Sequence, residues 1–159
     1  MDYRQPQMQQ EPQLKKAKLK ALKLLERMDR TEAQLREKLK AAEFDPEIIE
    51  QAIVYVKSFG YIDDERYVRN YIEYRQDRKS RRQLEQELQF RKGVTPELIQ
   101  KVYDELEPYD ERLLIKSQLE KKKYSAKAAD WNGRQKIVAS LMRKGFQMGD
   151  ILAVMDEYF

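Results

Sequence analysis

Asp63, Asp64 and Glu65 are the sequence's best candidate for chemistry, because adjacent carboxylates can hold Mg²⁺ for a nuclease. The same residues equally suit the first turn of a helix, where acids meet unpaired N–H groups and the positive end of the helix dipole. The motif Asp64-Glu65-Arg66 recurs as Asp110-Glu111-Arg112, as helix starts would, and no other carboxylate or lysine pattern completes a catalytic set. The chain has no His and no Cys, which removes imidazole bases, thiolate nucleophiles, disulfides and the common zinc, haem and iron–sulfur sites. No glycine-rich phosphate loop of the P-loop or dinucleotide type is present. The reading is a non-enzyme without a cofactor.

Cations offer more than carboxylates. The net charge is only +4, but its distribution is uneven. Lys15–Arg30 holds seven basic residues against Glu26 and Asp29; Arg75–Lys92 holds seven against three acids; Lys116–Lys144 holds nine against Glu120 and Asp130. Interleaved basic blocks suit a polyanion such as nucleic acid or an acidic protein surface. Arg78-Lys79-Ser80-Arg81-Arg82 is the densest run, and clustered guanidinium groups grip phosphate or carboxylate in bidentate fashion. Arg91-Lys92-Gly93 returns as Arg143-Lys144-Gly145: the glycine suits a helix C-terminus, but the first unit has Ala42-Glu43 there, so a cap does not require the basic pair. With Arg75 and Lys121-Lys122-Lys123, these residues form the candidate binding set.

Tyr67, Tyr71 and Tyr74 lie on one helical stripe beside Arg66, Arg69 and Arg75. Such a surface could stack bases, but the stripe reads more simply as a helix face turned inward. Trp131, ahead of Asn132-Gly133, is expected to plug the packing of the last unit.

These groups are positioned by helices. Hydrophobic residues make up 41% and charged residues 38% of the 159 residues, a composition suited to helices with wide solvated faces. Apolar spacings of three and four run through the chain, and alternating segments are absent, so the fold class is all-α. No apolar run is longer than Ala52–Val56, far short of the ~20 residues of a membrane span, and no secretion-signal core lies near Met1; the expected location is the cytoplasm.

An internal repeat organises the pattern. Ile49, Ala52, Ile53 and Val56 are echoed by Ile99, Val102, Tyr103 and Leu106, and again by Ile151, Val154, Met155 and Tyr158. Upstream of them stand the pairs Leu35/Leu39, Leu84/Leu88 and Ile137/Leu141. Thr31…Gln34 and Ser80…Gln83 read as capping boxes, and Pro46 and Pro96 as first helical residues. The spacing predicts a Gln-rich arm over 1–13, disordered or extended, then three-helix repeats over 14–62, 63–108 and 109–159. Expected helices are 14–28, 31–42, 46–57, 64–78, 80–92, 96–107, 110–128, 134–144 and 149–158. Units this small must stack to complete their cores, giving an elongated, curved body.

The segment Phe59-Gly60-Tyr61-Ile62-Asp63-Asp64-Glu65-Arg66-Tyr67, followed by Arg81-Arg82-Gln83-Leu84, Leu88 and Gly93-Val94, resembles the core of the RecX family. Arg134-Gln135-Lys136-Ile137, then Leu141-Met142-Arg143-Lys144-Gly145-Phe146 and Ile151, is similar to that family's last repeat. The resemblance implies tandem three-helix repeats and a regulator of the RecA recombinase. Such a regulator sits in the groove of the RecA filament on single-stranded DNA and inhibits ATP hydrolysis, strand exchange and coprotease action, and so bears on DNA repair, homologous recombination and the SOS response. The expected partners are the RecA filament and, weakly and salt-dependently, single-stranded DNA. No membrane partner is expected, and the protein is read as a monomer. The rival readings are a helix-turn-helix transcription factor, a HEAT-like protein-binding scaffold and a metal nuclease.

Overall fold

The computed structural model describes the backbone from Gln5 and side chains from Glu11, each through Phe159. Among the described residues every regular element is helical: α1 (Gln5–Arg27), α2 (Glu32–Ala41), α3 (Pro46–Ser58), α4 (Asp64–Arg75), α5 (Arg81–Gln86), α6 (Pro96–Glu105), α7 (Glu111–Lys121), α8 (Trp131–Arg143) and α9 (Met148–Tyr158). A π-helical stretch, Glu87–Arg91, continues α5.

Three expectations need correction. The arm expected to be extended or disordered is helical from Gln5 to Gln13, while Met1–Arg4 lie outside the described residues. Glutamine is a good helix former, and Pro6 falls in the first turn, where a missing N–H costs nothing. Helix α7 stops at Lys121 rather than running to 128. There Lys123 turns left-handed (φ 54°), and the Lys123 and Tyr124 amides donate back to the Glu120 and Leu119 carbonyls, closing the helix as Tyr124 enters the core. Helix α8 starts at Trp131, not 134, and Trp131 is 73% exposed instead of plugging a core, because Asp130 caps the Gly133 amide and makes Trp131 the first helical residue.

Each triplet of helices has its own core. Ala17, Ala21, Leu35, Leu39, Ile49, Ile53 and Val56 pack among α1–α3; Val68, Ile72, Leu84, Leu88, Ile99 and Val102 among α4–α6; Ile115, Leu119, Leu141, Ile151 and Met155 among α7–α9. Burying a Leu or Ile is worth ~1.5–3 kcal/mol, so each repeated stripe holds its own unit together. The accessible surface, 11183 Å² at 19.2 kDa, exceeds by about a third the ~8,400 Å² of a compact monomer of that mass. The body is elongated.

Neighbouring units are joined by a clasp that occurs twice. Thr31, the N-cap of α2, accepts from the Gln34 amide and donates through Oγ1 to the Lys92 carbonyl of the next unit at 2.6 Å. Ser80, the N-cap of α5, accepts from Gln83 and donates to the Lys144 carbonyl, also at 2.6 Å. The next backbone N–H is capped from the following unit as well: Glu32 N–H donates to Asp64 Oδ1 (2.9 Å), and Arg81 N–H to Glu111 Oε1 (2.5 Å). The Thr31 capping box closes on both sides, whereas Ser80 forms only its own half.

The clasp explains the glycines. A β-carbon on Gly93 would overlap Ala33, and one on Gly145 would strike Ser80 Oγ. The equivalent left-handed position of the first unit carries Glu43 (φ 66°). In the third unit the corresponding helix, α8, is capped by Asp130, which accepts from the Gly133 amide.

Candidate nucleic-acid interface

The three acids first considered for a metal each face a separate partner. Asp63 caps the Arg66 amide, Asp64 accepts from Glu32, and Glu65 lies beside Arg69 (3.8 Å) and Lys101 (3.2 Å). Burial raises the Asp64 pKa, partly offset by the Glu32 N–H bond. The caps also correct the repeat register at this point: Asp63 is the counterpart of Asp110, and Asp64 of Glu111. No group of three such ligands gathers elsewhere among the described residues.

The cations are sorted by the fold into four places. Lys79, Arg82, Arg91, Arg143 and Lys144 line one groove of about 610 Å³ between the second and third units. Three separated stretches of sequence supply them, and the Ser80–Lys144 clasp brings those stretches together. Lys79 is bonded to Glu87 Oε1 (2.5 Å), and Glu87, only 8% exposed, has its other oxygen buried without a hydrogen-bond partner. Arg82, Arg91 and Arg143 are exposed and form no ion pair among the described residues. Lys144 Nζ reaches Gln118 (3.0 Å) and Lys122 Nζ reaches Ser140 (3.3 Å), so α7 runs antiparallel to α8 and Lys121, Lys122 and Lys123 stand at its exposed end, about one turn from the groove.

Arg75, Arg78 and Lys92 belong to a different surface. They lie over the α4 tyrosines: Arg75 is 3.8 Å from the Tyr71 ring centre, Arg78 is 5.1 Å from that of Tyr74, and Lys92 is 5.9 Å from that of Tyr71. The stripe expected to turn inward is only partly buried. Tyr71 is in the core, but Tyr74, in the last turn of α4, is 72% exposed, and a groove of about 540 Å³ opens over Tyr67, Tyr71 and Tyr74. Arg81 stands alone. Its guanidinium bonds Glu85 (2.8 Å) and Gln100 (3.1 Å) and lies 4.1 Å from the Tyr103 ring centre, so its hydrogen bonds are spent within the unit. Burial pushes the Tyr103 hydroxyl, which lacks a partner, above its ordinary pKa.

One groove residue carries no signal in the basic blocks. Phe90 is 76% exposed and sits beside Arg91. Its signal is a spacing. Leu39 to Glu43 and Leu141 to Gly145 are four residues apart, whereas Leu88 to Gly93 is five. The extra residue is absorbed by the π-helical stretch, where the Lys92 amide donates to the Glu87 carbonyl. Leu88 stays in the core and Gly93 stays in the clasp, so the surplus length bulges outward at Gln89–Arg91. Single π-turns of this kind are frequent at functional sites.

Comparison with known proteins follows the same division of the chain. Residues 17–55, 63–102 and 110–155 match the models of the first, second and third three-helix domains of RecX. The chain is 35% identical over 139 residues to the regulatory protein RecX of Caldanaerobacter subterraneus subsp. tengcongensis, spanning 86% of this chain and 68% of that one. It is 26% identical to the regulatory protein RecX of Yersinia enterocolitica, spanning 87% and 95%. Among solved structures, a crystal structure of regulatory protein RecX superposes with a TM-score of 0.84 at 25% identity, over 99% of this chain and 80% of that one. RecX from Lactobacillus salivarius shares the fold, with a TM-score of 0.74 over 92% and 96% of the two chains. With three matched domains in order and this degree of identity, the chain belongs to the RecX family.

Proposed function

We propose that this protein restrains the RecA recombinase by lying along the RecA filament on single-stranded DNA, with the groove between its second and third units facing the nucleic acid. The observation that carries this reading is the convergence of Lys79, Arg82, Arg91, Arg143 and Lys144 on one groove. Membership of a family of regulatory proteins named RecX supports the choice of RecA as partner. Lys121, Lys122 and Lys123 extend the positive surface along α7, and Arg75, Arg78 and Lys92 offer a second contact on α4. An elongated body can touch several protomers at once, so that weak contacts sum. It acts by occupancy, as a monomer in the cytoplasm, slowing ATP hydrolysis, strand exchange and coprotease action without chemistry of its own.

Affinity for free single-stranded DNA is weak and falls steeply with salt, at about 0.7 in log K per phosphate contact per decade. The test is to add the purified protein to RecA, single-stranded DNA and ATP and to follow hydrolysis. A dose-dependent fall is expected. Unchanged hydrolysis at every dose, with no association of the protein with the filament, would overturn the reading.

A further inference from the structure

We infer that Phe90 is a stacking platform for one unpaired nucleobase, and that the cations around it hold the phosphates on either side. This rests on the groove reading above and adds what that reading lacks, a reason to prefer a single strand. Phosphate contacts alone give no preference for a single strand, because duplex presents phosphates at the higher linear density. A base can lie flat on an aromatic ring only when it is free of its own partner and stack.

Three features support this role. Phe90 is a large apolar side chain left 76% exposed, on the wall of an open groove, on the one repeat whose equivalent helix carries an extra residue. The π-stretch that displays it is fixed at both ends, by Leu88 in the core and by the Lys92 carbonyl in the clasp, so the ring is held on a rigid element. Its surroundings are cationic: Arg82, Arg91, Arg143 and Lys144 share the groove, and the one acid lining it, Glu87, is buried and engaged with Lys79. An anchor for a protein partner would be expected among apolar neighbours that shed water together. Apart from Phe90, the only exposed large apolar side chain here is Met142. A ring among unpaired guanidinium groups fits a base with flanking phosphates.

The test uses the full chain, a labelled oligothymidylate, and the same strand made abasic throughout. Phe90→Ala is expected to weaken binding of the oligothymidylate by about five- to 150-fold. It should leave affinity for the abasic strand and the salt slope unchanged. Phe90→Leu should weaken binding in the same way, because it restores bulk without a π face, and Phe90→Trp should bind and show indole quenching beyond that of Trp131 in the wild type. Equal losses on both strands, or full affinity in Phe90→Leu, would overturn the stacking role. So would a Phe90→Ala variant that keeps its affinity for oligothymidylate but binds RecA less well without DNA, which would make Phe90 a protein contact. A wild type that binds neither strand and leaves RecA unaffected would instead remove the groove reading on which this rests.

Discussion

Ser80 Oγ donates to the carbonyl of Lys144 at 2.6 Å while accepting from the amide of Gln83. One hydroxyl thus caps a helix of the second unit and ties it to the third. Ser80→Ala removes the cap, worth ~1 kcal/mol, and takes the donor from the partly buried Lys144 carbonyl, worth about as much again. The expected loss is about 2 kcal/mol in urea denaturation. Ser80→Thr, which carries the hydroxyl that Thr31 uses in the first clasp, should recover most of it. A loss of only a few tenths in Ser80→Ala would mean that the clasp does not hold the units together.

Glu43 and Gly145 occupy equivalent left-handed positions, at φ 66° and 97°; Glu43 is exposed, whereas Gly145 lies against Ser80. Glu43→Gly should stabilise the protein by up to ~1 kcal/mol by relieving the left-handed strain of a residue with a β-carbon. Gly145→Ala should destabilise it, since its β-carbon would meet Ser80 Oγ. Thermal melts of the two variants should move in opposite directions.

Asp64 gives a pH signature. Burial holds its pKa above the ordinary value, with Glu32 and Asp63 adding to the rise and Lys57 and the Glu32 N–H opposing it. The folded state therefore binds this proton more tightly than the unfolded state. The associated stability is fully present below the unfolded pKa, about 3.9, and is lost as pH rises through the higher folded value. Asp64→Asn keeps an oxygen for the Glu32 amide and has no charge to bury. Relative to the variant, the wild type should lose stability as pH rises above about 4. Two parallel stability–pH curves would show that Asp64 ionises without cost to the fold.

The fold was largely legible in the sequence because the apolar stripes repeat at nearly constant spacing, and each stripe closes its own core. The helix ends were less so: the stop at Lys121 depends on Tyr124 finding the core, a tertiary event with no local marker. For the candidate site, sequence supplied the cations but not their division. Arg81 and Arg82 are adjacent, yet a helix sends neighbouring side chains apart, so Arg81 turns to Glu85 and Tyr103 while Arg82 lines the groove. Phe90 was readable only through the five-residue step from Leu88 to Gly93.

That division separates stability from binding. Arg81→Ala should lower the melting temperature, through loss of its bonds to Glu85 and Gln100, and leave the salt dependence of DNA binding unchanged. Arg143→Gln should melt like the wild type and reduce the slope of log K against log salt by about 0.7. The reverse pattern would place the interface on the Arg81 side.

The most direct measurement is RecA's DNA-dependent ATP hydrolysis, titrated with the wild type and with the combined Arg82→Gln, Arg91→Gln and Arg143→Gln variant. These side chains are exposed and form no ion pair among the described residues, so the variant should remain folded. The expected result is that the wild type suppresses hydrolysis and the variant needs at least tenfold more protein, the equivalent of about 1.4 kcal/mol. Equal suppression by a variant that melts like the wild type would contradict the groove's role.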